Sequence, residues 1–200
     1  MRSVDSWSIR CCKRCVEMSR LATLLLVFAA VGTCSQAAEG LPSASQEAIR
    51  VKAKAFLSVK KLPAGGECEI IVLVAVESGW HINSHSTEKE WQIPTELTVS
   101  SKQGTTLGRV VYPRGRLARV PGSEEPVPVY EKQATIRGVL SVPREAAGQV
   151  EELRIQLRYQ ACNDHECEQP KFLKLFGKMP VAGDGESVEE ANSNLFPKSR

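Results

Sequence analysis

Long helical periodicity is missing from this 200-residue chain. A short turn at "SASQEAIR" is the one exception, and helical bundles and α/β architectures are excluded with it. An apolar run of bilayer length is missing too: the most apolar stretch, "LATLLLVFAAVG" from Leu21 to Gly32, has twelve residues, against the roughly twenty needed to cross a membrane. No block of Lys or Arg offers a footprint for nucleic acid, whose binding depends on neutralising phosphates. No Ser/His/Asp arrangement, phosphate-cradling glycine loop or internal repeat stands out, so the usual hydrolase and nucleotide-binding readings have no residues to rest on.

What the first 38 residues do contain is a secretory address. Arg10, Lys13, Arg14 and Arg20 precede the apolar stretch, and small residues at Ser35, Ala37 and Ala38 follow it, the order of a signal peptide. Cleavage near Ala38 or Glu39 is expected. A complete signal peptide already begins at Met18, so residues 1–17, with Cys11, Cys12 and Cys15, read as an upstream extension from a misassigned start. A second reading, acylation of Cys34 in a lipoprotein-like "VGTC", is disfavoured by Thr33 before it. Five Lys or Arg and two Asp or Glu fall in residues 1–38, leaving twenty-one of each sign in the exported part. That part is neutral, and large enough for one domain with a real core.

Residues 39–46 are a polar lead-in, and residues 181–200 lack periodicity and apolar density, which predicts a loose tail. Between them, over 47–180, the chain reads as strands. "IRVKAKAFLSV" puts Val51, Ala53, Ala55, Leu57 and Val59 on one face, and "VEELRIQLRYQ" puts Leu153, Ile155, Leu157 and Tyr159 inward. "CEIIVLVAVES" is nearly all apolar after Glu69, as suits a central strand covered on both sides. "IPTELTVS", "LGRVVYP", the longer "VYEKQATIRGVLSVP" and "KFLKLFGKM" complete the set, with turns at "LPAGGE", "VPGSEEPVP" and "VPREAAGQ". Seven or eight such strands predict an all-β, antiparallel β-sandwich.

Three cysteines remain in the exported part, Cys68, Cys162 and Cys167, in a compartment where disulfides persist. A close pair plus a distant single is the natural parsing. Cys162 and Cys167 bracket the short connector "NDHE" between two strands, and a six-residue loop closed by a disulfide stabilises a fold by only about 2 kcal/mol. Spacing alone leaves a working dithiol and an inert staple equally open. A metal clip through Cys162, His165 and Cys167 is a third reading, weakened because structural zinc takes four ligands and no second pair exists. Asp164, Glu166 and Glu168 disfavour a thiolate and a protonated His165 favours one, so a strongly acidic thiol is not expected.

The order of motifs goes further than spacing. "GWHINSH" (Gly79 to His85), "IPTELTV", "YP" (Tyr112 and Pro113), "EEPVPVYEKQATI" and "YQACNDHECEQP" together resemble the amino-terminal periplasmic domain of DsbD-type thiol:disulfide interchange proteins, over about residues 47 to 178. The resemblance implies an immunoglobulin-like sandwich in the periplasm or cell envelope, with Cys162 and Cys167 as a redox-active disulfide pair and no cofactor. It implies that Cys167 enters mixed disulfides with thioredoxin-like proteins, that Cys162 is its resolving partner, and that a cap loop between Pro113 and Tyr130 shields the pair. Known members have an aromatic residue in that loop and one more residue between the cysteines. Here "RGRLARVPGSEEPVPVY" has no aromatic before Tyr130, which leaves Leu117 or Val120 to cover the sulfurs. The chain also carries no membrane core or thioredoxin-like module, so a stand-alone version served by a separate membrane electron carrier is expected. The competing reading is a non-redox envelope binding or assembly module with a structural disulfide.

Single residues are read against that background. Cys68 is expected to be a small buried side chain sharing a face with Ile70, Val72 and Val74. Trp80 and Trp91 read as sandwich edge rather than docking surface, His81 and His85 as solvated loop residues, and Glu124 and Glu125 as turn charges. Tyr159 is expected in the core with its hydroxyl near the cysteine loop.

Overall fold

Leu153, Ile155, Leu157 and Tyr159 are all buried along one ten-residue strand, while Arg154, Gln156 and Arg158 between them reach solvent. This alternation recurs through the computed structural model, which describes residues 49–87 and 89–197. The signal peptide, the lead-in, Cys34 and most of the turn at "SASQEAIR" lie outside the described residues.

Eleven strands are described: β1 (Val51–Leu57), β2 (Glu67–Val76), β3 (His81–Asn83), β4 (Glu96–Ser101), β5 (Thr106–Val111), β6 (Arg116–Ala118), β7 (Val127–Glu131), β8 (Gln133–Ser141), β9 (Val150–Tyr159), β10 (Ala161–Cys162) and β11 (Lys171–Pro180). A 3-10 turn at Arg144–Ala146 is the one helical element among them. Every pairing between these strands is antiparallel. They form sheets of order β1-β2-β8-β5, β11-β9-β4 and β10-β3-β7-β6. As expected, β2 lies inside its sheet, and Ile70, Val72 and Val74 are fully buried with Cys68 on the same face. They share one core with Ala134, Ile136 and Leu140 of β8 and with Leu153, Ile155 and Leu157 of β9. The architecture is an immunoglobulin-like antiparallel β-sandwich.

Two expectations about chain course are corrected. "VYEKQATIRGVLSVP" is not one strand, because Lys132 adopts φ 59° and its carbonyl accepts from the Val76 amide, 2.9 Å away. The break sends β7 into the sheet of β3 while β8 enters the sheet of β2. Nor are residues 181–197 loose. Val181 forms a parallel bridge to Leu62 and Glu190 an antiparallel one to Val59, the Ala191 amide donates to the Ser58 carbonyl at 2.8 Å, and Val181, Ala182 and Phe196 are buried. Backbone pairing with the β1–β2 connection supplies order that the segment's polar side chains do not announce.

Candidate functional site: the cysteine hairpin

At the edge of the third sheet, β10 is only two residues long, with Ala161 opposite Ile82 and Cys162 opposite His81. The chain then turns back through Asn163 to Glu166. The Asn163 amide donates to the Glu166 carbonyl at 2.9 Å, and the Asn163 Oδ1 accepts from the amides of His165 and Glu166, both at 2.8 Å. Asparagine thus closes the turn with its own side chain. Cys167 comes to face Cys162 across the hairpin with Cα atoms 4.0 Å apart, and the two sulfurs are bonded.

The two ends of the disulfide differ. Cys162 is 1% exposed, whereas Cys167 is exposed, in line with the open turn residues Asp164, His165 and Glu166. The base of the hairpin is fastened at Glu168. Its amide donates to the Ala161 carbonyl at 2.8 Å and its carbonyl accepts from Gln160 Nε2 at 3.1 Å. Its carboxylate meets Lys171 Nζ at 2.7 Å and Arg50 Nε at 3.2 Å. Burial raises the Glu168 carboxyl, but those two cations outweigh it and hold it below the ordinary carboxylate range. Its charge is therefore held and is compensated by the two cations. Arg50 also meets Glu77 at 2.8 Å and lies over the Trp80 ring at 4.2 Å, so Trp80 backs this clamp.

His81 is not a solvated loop residue. It is 5% exposed, and its Nε2 is buried without a hydrogen-bond partner among the described residues. Burial pushes its pKa down, opposed by the nearby charges of Glu131 and Asp164. The reason sequence reading missed it is that β3 is buried at all three positions, so no alternation marks it as a strand. His85 is exposed yet ordered: its ring stacks on Tyr112 at 3.7 Å and 7°, and its Nδ1 lies 3.1 Å from the Thr95 carbonyl. Tyr130 OH accepts from the His85 amide at 3.1 Å and donates to the Pro113 carbonyl at 3.0 Å. The "GWHINSH", "YP" and "VYE" motifs thus meet in space, which their distance along the chain concealed.

The expected cap segment is a β6–β7 hairpin, Leu117 facing Pro128 across it. Leu117 is 72% exposed, and Val120 packs with Val127 and Val129 in a small core of its own. Leu117 is thus turned largely to solvent, and Val120 serves the hairpin's own packing. Tyr159 is buried in the main core. Trp91 is half exposed, and of the two turn glutamates Glu125 pairs with Lys89 at 2.9 Å. Among the described residues no group of three His, Cys, Asp or Glu is arranged to hold a metal, and the two sulfurs a clip would use are bonded to one another. No helix among them is long and apolar enough to cross a membrane.

Comparison with known proteins sets this geometry in a family. The N-terminal periplasmic domain of ScsB from Proteus mirabilis is 12% identical over 74% of this chain, with TM-score 0.44, and this chain spans about half (51%) of that one. The Neisseria meningitidis DsbD N-terminal domain in the reduced form is 16% identical over 70% of this chain and 88% of its own length, with TM-score 0.35. No curated protein sequence matches. Residues 46–172, more than half of the chain, match the family described as the N-terminal part of the thiol:disulfide interchange protein DsbD, and the chain belongs to that family.

Proposed function

We propose that the domain is an exported thiol:disulfide exchange module that passes electrons between thioredoxin-like proteins through Cys162 and Cys167, the electrons arriving from a separate membrane carrier. In the accepting half-cycle a partner thiolate attacks Cys167 Sγ and the Cys162–Cys167 bond breaks. Cys162 leaves as thiolate, and the partner's second thiol then releases Cys167. In the donating half-cycle the Cys167 thiolate attacks a client disulfide, expelling one client sulfur as thiolate. Cys162 then attacks Cys167 Sγ, restoring the internal disulfide and releasing the reduced client. Cys162 resolves only this second half, since in the first its attack would merely reverse the reaction.

The observation that carries the reading is the unequal exposure of the two bonded cysteines: Cys167 is exposed, whereas Cys162 is 1% exposed. An attacked sulfur must be accessible, whereas a resolving one need only reach its neighbour. His165, Asp164 and Glu166 form the open turn beside Cys167, where their charges act as modulators of its thiolate.

A Cys162→Ser variant should trap mixed disulfides with CxxC-type thioredoxin-like proteins in an envelope extract, while Cys167→Ser, left with the buried sulfur, should trap about tenfold less. No trapping by either variant, together with a reduction potential well below about −300 mV, would instead establish an inert staple, and equal trapping by both would overturn the division of roles between Cys167 and Cys162.

A further inference from the structure

Cys162 poses a problem for the exchange just described. A buried thiol resists ionisation, and the same chain shows how strongly: burial pushes Cys68 up to about 12. A resolving Cys162 at 1% exposure is desolvated too, and ionises the more readily for a neighbour that takes its proton.

His81 is the group in place. It is the register partner of Cys162 on β10 and of Glu131 on β7, and directly opposed residues of antiparallel strands project to the same face with Cβ atoms about 5 Å apart. Thiol, imidazole and carboxylate therefore stand in a row across three strands. With the disulfide closed, the Nε2 of His81 is buried and has no partner among the described residues, an orphan that burial makes costly. His81, Glu131 and Asp164 line one cavity of about 220 Å³, with Glu77 and Lys132 at its other walls. Arg116 meets Glu131 at 3.4 Å from the far side.

We propose that His81 takes the proton of the Cys162 thiol when the pair is reduced, and so lets Cys162 resolve mixed disulfides at neutral pH from inside the fold. The inference rests on the exchange reading above. Neutral imidazole accepts the proton, and the Cys162 thiolate attacks Cys167 Sγ. The internal disulfide forms as the bond from Cys167 to the client breaks, the electron pair leaves on the client sulfur, and the imidazolium returns its proton to that sulfur or to water. Glu131 holds the imidazolium while it exists. His81 acts through Cys162 and is thus a proton-accepting, positioning residue.

Reaction of the reduced domain with dithiobis(nitrobenzoate) separates the two ideas, because each thiol releases one coloured thionitrobenzoate. The first phase is attack by Cys167 and the second is resolution by Cys162. His81→Gln should slow the second phase about tenfold at neutral pH, the effect of raising the thiol by about one pH unit, and leave the first within about twofold. The wild-type second phase should fall as pH drops through the His81 pKa, which burial places below the usual histidine value, and His81→Gln should lose that inflection. Glu131→Gln should move the inflection to lower pH, and it carries the test if His81→Gln does not fold. Equal slowing of both phases, an unchanged pH profile in His81→Gln, or an unmoved inflection in Glu131→Gln overturns the proposal. Failure of the exchange reading looks different: a wild type with no first phase, or a Cys162→Ser variant that loses it.

Discussion

Glu151 has no exposed surface, and it keeps its charge because its oxygens are fully occupied. Thr105 Oγ1 donates at 2.6 Å, and the amides of Lys102 and Gln103 at 2.9 Å. Burial pushes the carboxyl up, but these bonds outweigh it and leave its pKa below the ordinary range. A depressed folded-state pKa stabilises the fold fully above the ordinary carboxylate range, and that contribution is lost as pH falls through the lowered value. Glu151→Ala should therefore cost roughly 3 kcal/mol at neutral pH, from stranded donors and lost packing, and lower Tm by roughly 10 °C. The deficit relative to wild type should shrink in acid, as thermal melts across pH would show. Strict alternation from Leu153 does place position 151 inward, but its partners in residues 102–105 are remote in sequence, so nothing local reveals a paired core carboxylate. His81 was hidden for a related reason, a three-residue strand covered on both sides.

Among elements, the long alternating strands β1 and β9 were legible in the sequence because one side of each faces a common core and period two survives. The short ones were not. β6 and β10, of three and two residues, are too brief for any period, and each exists only because a neighbour supplies its hydrogen bonds. Gly115 shows how closely the β6–β7 hairpin is fitted: a Cβ there would lie 2.9 Å from Pro128 Cβ and from Ser84 Cβ, and 3.1 Å from the Val129 amide. Backbone and short side chains cannot give way as a flexible tip would. Gly115→Ala should cost about 1–3 kcal/mol and lose hydrogen-exchange protection chiefly in β6 and β7, with β9 and β11 unaffected. Uniform loss across the sheets would mean that the hairpin is no separate unit.

For the molecule as a whole, the packed core and the disulfide lie in different parts. The core joins β2, β8 and β9, and the segment 181–197 is tied back to the β1–β2 connection, whereas the disulfide closes a loop of only six residues at one sheet edge. Reduction should lower global stability by about 2 kcal/mol, or roughly 6 °C in Tm. A loss above about 5 kcal/mol on calorimetry of the oxidised and reduced forms would identify a true staple. The sandwich and the cysteine loop could be read from the sequence through periodicity and motif order. The tail could not, since its placement comes from backbone pairing that side-chain chemistry does not encode.

The unequal exposure of the two cysteines also has a kinetic consequence for the proposed exchange. With Cys167 the exposed residue of the pair, donor and acceptor would visit the same point in succession, never together. Turnover would then be ping-pong, with parallel double-reciprocal lines, and an excess of either protein would compete with the other for the single docking place.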